Sequence, residues 1–267
     1  MNKIVFASDF HLGQKGLIST EEREKNIVHW METVAMEADE IFLLGDIFDF
    51  WYEYNSVIPK GYTRFLGALA KLADTGKPIH IFTGNHDMWI FEYFTKEFGI
   101  PIYRSPRVFE RQGKKLIVGH GDGLGPGDYT YKFLKKVFNN PICIVLFHWI
   151  HPSIGMWIAN KWSTGSRDGH SDIYSFYGTD KEFLLQHCES ELSKDPEVDY
   201  FIFGHRHLPI DYTLSNGNSK YINTGDWLAF QSFATMENGN ITINFYERPQ
   251  FTVVNNDPST WKHKVVN

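Results

Sequence analysis

Cysteine is scarce in this 267-residue chain: only Cys143 and Cys188 occur, both in apolar or helical surroundings. A small fold stapled by disulfides is excluded, and two free thiols in a reducing cytosol fit better than one bridge. Positive charge is not in excess either. The net charge of −6 disfavours non-specific attraction to a nucleic-acid backbone, so no nucleic-acid partner is expected. The opening MNKIVFAS enters a strand-like run without a charged n-region, an apolar h-region and a cleavage site, and no secretory signal is visible. An uninterrupted apolar run of the roughly 20 residues that a membrane span needs is also missing. The greasiest stretch, residues 143–160, is broken by His148, His151, Pro152 and Gly155, and reads as two short helices. No internal repeat or low-complexity tract occurs.

What the chain does have is an alternation of strands and helices. Ile4–Ala7, Ile41–Leu44 and Ile79–Phe82 are short apolar runs, each followed by polar or glycine-containing turns. Thr20-Glu-Glu-Arg opens like a helix N-terminus, and Tyr62–Ala73 spaces Phe65, Leu66, Leu69 and Leu72 as a helix does. Continuous apolar strands separated by helices predict an α/β sheet covered on both faces. Beyond residue 100 the strands are shorter: Val108–Arg111, Leu116–Gly119, Tyr200–Phe203, Ile210–Leu214, Tyr221–Asn223, Phe233–Met236 and Ile241–Tyr246. Gln112-Gly113, Asn216-Gly217 and Asn238-Gly239 carry hairpin-turn chemistry, and Phe183–Leu192 reads as a helix. The segment from Asp128 to Gly178 has helix-like pieces and no strand-like ones. The expected organisation is therefore a core of residues 1–127 and 179–250, an inserted helical cap of residues 128–178, and a tail of residues 251–267.

Five signatures stand where strand-like runs end: Asp9-Phe-His11, Gly45-Asp46, Gly84-Asn85-His86-Asp87, Gly119-His120-Gly-Asp122 and Gly204-His205-Arg-His207. In a layered α/β fold such loops converge at one sheet edge. Their oxygen and imidazole donors suit Mn²⁺, Fe or Zn²⁺ and are poorly matched to copper(I) or iron–sulfur chemistry. Asp9, His11, Asp46, Asn85, His120, His205 and His207 approach the ligand set of a metal pair, in which ions about 3.5–4 Å apart share a bridging carboxylate. Glycine before several of these residues permits a sharp turn and close approach. Asp-x-His or Gly-Asp alone is weak, Gly-Asn-His-Asp says more, and all five in this order argue against a purely structural origin.

This set resembles the calcineurin-like metallophosphoesterase superfamily over residues 3–125 and 198–246. The resemblance implies a four-layer α/β/β/α sandwich and two divalent metal ions. Asp9, His11, Asp46 and His207 would hold the first ion, and Asp46, Asn85, His120 and His205 the second. It also implies that His86 stabilises developing charge or protonates the leaving oxygen, with Asp87 orienting it. Asp122 is left to bond a metal-ligating histidine or to shape its loop.

The cap bears on the substrate. Residues 129–167 contain no Asp or Glu, where the chain's average would place about five, yet they include Lys132, Lys135, Lys136, Lys161 and Arg167. An apolar face beside cations fits a ligand with acyl chains and a phosphorylated head, or an anionic membrane surface. A helical hairpin packed on the core would also explain the aromatics. Asp9-Phe-His-Leu, Gly45-Asp-Ile-Phe-Asp-Phe-Trp51 and the run from His120 through Asp128 and Tyr131 to Phe133 are similar to UDP-2,3-diacylglucosamine hydrolases, as is the cap ending in Asn160-Lys-Trp-Ser163-Thr-Gly-Ser166-Arg167. That resemblance implies Mn²⁺-dependent cleavage of the substrate's pyrophosphate in lipid A biosynthesis, giving UMP and 2,3-diacylglucosamine 1-phosphate. It implies substrate contacts at Asn85, His86, Asp128, Tyr131, Ser163, Arg167 and His205. A cytoplasmic enzyme peripherally attached to the inner membrane is the corresponding expectation. Where many members carry arginine after the metal-binding asparagine, this chain has His86. A phosphoesterase for a soluble nucleotide or phosphoprotein, and an inactive scaffold, are the competing readings.

Overall fold

The computed structural model describes residues 2–127, 129–158, 174–248 and 250–261. Two sheets form its centre. The first runs β11-β10-β1-β2-β3-β4, with β1 (Ile4–Ala7), β2 (Glu40–Leu43), β3 (Ile79–Phe82) and β4 (Ile102–Tyr103) parallel, β10 (Ser232–Glu237) antiparallel to β1, and β11 (Asn240–Phe245) antiparallel to β10. The second runs β5-β6-β7-β9-β8, in which β6 (Lys114–Val118), β7 (Tyr200–Phe203) and β9 (Lys220–Thr224) are parallel. Its edges, β5 (Arg107–Arg111) and β8 (Pro209–Thr213), are antiparallel.

Side-chain alternation along the strands sorts the layers. In β1, Ile4 and Phe6 point into an apolar layer shared with Leu116, Val118, Ile202 and Ile222 of the second sheet. Val5 and Ala7 face outward, onto a core completed by α1 (Thr20–Trp30) and α2 (Thr63–Ala73). Phe201 and Phe203 of β7 do the same on the far side, where Leu184, Leu185 and Cys188 of α7 (Phe183–Lys194) cover them. The architecture is thus helix, sheet, sheet, helix. Both faces of the central strands are buried, which is why their sequences are uninterrupted apolar runs.

Ser19 starts α1, its hydroxyl accepting the Glu22 N–H at 3.1 Å; the helix then widens into a π-helical turn over Met31–Ala35. Gln112-Gly113 and Asn238-Gly239 have positive φ at both residues (53° and 73°, 52° and 77°), as a tight two-residue hairpin requires. The turn at Asn216-Gly217 differs. Only Gly217 has positive φ, and the Asn216 side chain instead accepts the Asn218 and Ser219 amides at 3.1 and 2.9 Å. Helix α3 (Tyr93–Phe98) and the two-residue β4 were not expected from the sequence, being too short to show a period. Cys143 and Cys188 are free thiols.

Between β6 and β7 lie α4 (Tyr129–Phe138), α5 (Pro141–His148) and α6, residues 152–158. They rest on the loops after β2 and β3: Tyr52 donates to the Ile144 carbonyl at 2.9 Å, and the Trp89 indole to that of Phe138 at 3.0 Å. No helix among the described residues is long and apolar enough to cross a membrane. At the C-terminal end, Val254 pairs with Ile210, and Trp261 packs on Phe176.

Candidate metal centre

Parallel strands deliver their C-terminal ends to one edge. Asp9 and His11 follow β1, Asp46 follows β2, Asn85 to Asp87 follow β3, His120 and Asp122 follow β6, and His205 and His207 follow β7. The loops are bonded to one another: Asp9 N–H to Gly45 O at 3.1 Å, His11 N–H to Asp46 O at 2.9 Å, and Gly204 N–H to His120 O at 2.9 Å. These cross-links hold Asp9, His11, Asp46, His205 and His207 at φ values of 54°, 43°, 50°, 66° and 55°. Such left-handed backbone is unfavourable for residues with a Cβ and persists only where the surroundings fix it.

The side chains converge in overlapping groups, Asp9–His11–His207, His11–Asp46–His86 and Asp46–His120–His205. Asp46 Oδ2 sits centrally, 3.6 Å from His11 Nε2 and 3.3 Å from His120 Nε2. Asn85 Oδ1 is 3.2 Å from the same His120 nitrogen. One oxygen of each carboxylate is tied back: Asp9 Oδ2 accepts from Ser8 and from His205 N–H at 3.0 Å, while Asp46 Oδ1 accepts from His86 N–H at 2.8 Å. The others, Asp9 Oδ1 and Asp46 Oδ2, are buried without a hydrogen-bond partner among the described residues. Buried carboxylate oxygens left unpaired are strongly disfavoured unless a cation meets them.

Histidine orientation tells the same story. His120 Nδ1 faces the Leu44 carbonyl at 2.8 Å and His207 Nδ1 faces Asp226 Oδ2 at 3.0 Å, so each Nδ1 carries a proton and each Nε2 is the nitrogen left to offer a lone pair to a cation once its own proton is displaced. His207 Nε2 and His11 Nε2 approach to 3.3 Å. Space is equally constrained. A Cβ on Gly84 would lie 2.6 Å from the Asp46 nitrogen and nearer its carboxylate, and one on Gly204 would lie 2.6 Å from Asp9 Oδ2. Orphaned oxygens, converging lone pairs and an O/N donor set fit divalent ions.

Electrostatics follow the same logic. Burial alone would raise the Asp9 carboxyl, but His207 and His11 bring it down to about 2; Asp46, beside His120 and His86, is also held well below the usual carboxylate range. Burial opposes protonation of His11 and His120, yet the adjoining carboxylates raise both to about 10, so without a cation the cluster retains protons. His205 falls to about 4 through burial and the proximity of His120. Burial likewise lowers His86.

Two expected roles take a different form. The Asp87 carboxylate does not reach the His86 ring. It accepts the amides of Gly84 and Ile47 at 2.7 and 2.8 Å and lies within 3.3 Å of that of Asp46, so it braces the β2 loop against the β3 loop. The His86 ring is set by Asp49, whose carbonyl lies 3.0 Å and carboxylate 3.6 Å from Nδ1. Asp122 receives Tyr131 and Lys135 of α4 rather than a metal-ligating histidine. Asp128, Ser163 and Arg167 lie outside the described residues. Asp49 and Asp226 escaped the sequence reading, although Gly225-Asp226 repeats the glycine–aspartate signature at the end of β9.

Two cavities open at the cluster, on either side of α4. One, about 500 Å³, is apolar: Asn85 and His86 form its head, and Trp89, Leu134, Phe138 and Phe147 are among its walls. The other, about 480 Å³, includes His120 and is lined by Arg104, Lys132, Lys135 and Lys136.

A cluster of this composition, at the strand ends of a four-layer sandwich, marks a metal-dependent phosphoesterase, and the chain belongs to the calcineurin-like phosphoesterase family, which it matches over residues 2–209. It is 33% identical to a UDP-2,3-diacylglucosamine hydrolase of Porphyromonas gingivalis across 92% of this chain and 98% of that protein. A protein of the same description from Yersinia enterocolitica is 26% identical across 84% of this chain and 90% of its own length. Among solved structures, an archaeal phosphodiesterase is similar over 91% of this chain and 99% of its own at 13% identity, with a TM-score of 0.47.

Proposed function

We propose that this protein hydrolyses the pyrophosphate bond of UDP-2,3-diacylglucosamine, releasing UMP and 2,3-diacylglucosamine 1-phosphate in lipid A biosynthesis. The observation that carries this reading is the apolar cavity whose head is Asn85 and His86: a soluble substrate gives no reason for a greasy chamber to open onto the reacting groups. The kinship with relatives of that activity supports it.

In this reading Asp9, His11, Asp46 and His207 hold one divalent ion and Asp46, Asn85, His120 and His205 the other, with Mn²⁺ the preferred metal and Fe or Zn²⁺ compatible with the donors. Divalent ions held there would supply Lewis-acid polarisation of phosphoryl oxygens and a water of lowered pKa. The protein's own groups do the rest. With Nδ1 turned to Asp49, His86 lines the cavity head; burial lowers its pKa, so the ring is protonated there only as far as the Asp46 and Asp49 carboxylates and an incoming phosphate offset that burial, and in that form it stabilises charge on the leaving oxygen and returns a proton to it. Asp49 supports that form, and Asp87 fixes the loop on which His86 stands. Tyr131 meets the substrate from α4, with Asp128, Ser163, Arg167 and His205 as further contacts.

Residues 128–178 act as a cap on a core of residues 1–127 and 179–250, with residues 251–267 as a tail. The cap's outer surface exposes Tyr129, Phe133, Ile142 and Trp149, the last at 83%. A patch of this kind suits peripheral attachment to the cytoplasmic face of the inner membrane, where an acylated substrate resides. The test is UMP release from UDP-2,3-diacylglucosamine in detergent by Mn²⁺-loaded protein, with UDP-glucosamine and p-nitrophenyl phosphate alongside. Turnover confined to the acylated substrate, lost in Asp46→Ala and His120→Ala, is expected. Turnover of the simple ester with the lipid ignored would refute the assignment.

A further inference from the structure

The basic cavity is left without an occupant by the acyl-chain assignment. It shares His120 with the metal cluster, and His120 Nε2 stands 3.2 Å from Asn85, which lines the apolar cavity. The two chambers therefore meet at the cluster, and α4 divides them. Leu134, Val137 and Phe138 turn to the apolar side, whereas Lys132, Lys135 and Lys136 turn to the other, each set at helical spacing. A molecule with its diphosphate at the cluster must send its two ends into chambers of opposite character.

We propose that the cavity between α4 and the β4–β5 connection binds the nucleotide half of the substrate, and that Lys136 is the cation that recognises it. This rests on the function proposed above. The volume of about 480 Å³ lies in the range of small-molecule sites, and Thr83, Ser105 and Asn139 supply hydroxyl and amide groups for a ribose and a pyrimidine. The other cations are already engaged: Lys135 with Asp122, Lys132 with the Gly125 carbonyl, and Arg104 with those of Met88 and Ile90. Lys136 is exposed and has no ion-pair or hydrogen-bond partner among the described residues. Four cations against the single carboxylate of Asp122 leave the chamber net positive, as a nucleoside phosphate requires.

The experiment titrates UMP, and separately 2,3-diacylglucosamine 1-phosphate in detergent, into Mn²⁺-loaded wild type and Lys136→Glu by calorimetry. Charge reversal at an exposed, unpaired side chain leaves the fold intact. UMP binding should weaken by at least about tenfold, and the lipid product by less than about threefold. Unchanged UMP affinity, or a loss falling on the lipid product instead, overturns the assignment. Hydrolysis of the acylated substrate by the wild type is measured in parallel. Its absence with UMP still sensitive to Lys136 would sink the lipid reading and keep the nucleotide chamber, while its presence with UMP insensitive would do the reverse.

Discussion

Replacing Asp226 with asparagine removes one charge and almost no volume, yet it should disturb metal binding. Asp226 Oδ2 receives the His207 Nδ1–H at 3.0 Å, while Oδ1 accepts the amides of Ala229 and Phe230 at 2.9 and 3.1 Å. The asparagine oxygen can keep the two backbone bonds. Its NH₂ then faces His207 Nδ1 and favours the other tautomer, placing a proton on the nitrogen that should face the ion. A hydrogen bond to a charged group is worth about 1.5–3 kcal/mol, which at roughly 1.4 kcal/mol per decade is about 10–100-fold in metal affinity. Turnover titrated against Mn²⁺ should thus shift to higher concentration by that factor. Thermal unfolding of the metal-free protein should change little, because the packing is retained. A metal titration superimposable on wild type would refute the claim that Asp226 sets the ligating nitrogen.

Gly84→Ala should lower turnover by at least about a hundredfold, since displacing Asp46 by a fraction of an ångström misplaces the shared carboxylate. Gly67→Ala, inside α2 with open space around the new methyl, should instead leave activity intact and stabilise by roughly 0.5–1 kcal/mol; denaturation and turnover together check both. Glu40 gives an acid dependence. Burial would raise its carboxyl, but His80 and Arg111 bring it down to about 2, so its contribution to stability is full above the ordinary glutamate range and is lost as pH falls toward 2. In Glu40→Gln the Tm between pH about 5 and pH about 2 should fall less steeply than in wild type, and parallel curves would contradict this. Ile142→Glu combined with Trp149→Glu should reduce partition onto anionic vesicles by at least about tenfold, as measured by sedimentation, and unchanged partition would dismiss the cap's outer face as the membrane contact.

The central strands were legible because burial on both sheet faces writes every position apolar: Ile79–Phe82 was found to the residue, and β2 was displaced by one. The loops that carry the candidate ligands could be placed at strand ends for a related reason. A parallel strand can present polar chemistry only at its end, so an apolar run followed by Asp, Asn or His marks the spot. Asp226 and Asp49 were not, because an isolated aspartate is common and its partner is known only once β9 lies beside β7 and the β2 loop lies over His11. Asp87 was misread for the same reason: adjacency in sequence suggested His86, while the folded loops surround its carboxylate with backbone amides.

By itself, the sequence determined which segments must be buried, that an O/N donor set stands at five strand ends, and that a run without acids joins cations to apolar side chains, since all three are local properties of composition and period. Only the tertiary structure decided the rest. Contacts between residues 19 to about 200 positions apart fixed the unpaired oxygens of Asp9 and Asp46, the tautomers of His120 and His207, and the division by α4 of an apolar chamber from a cationic one. Such relations depend on distance and desolvation, which the order of residues does not contain.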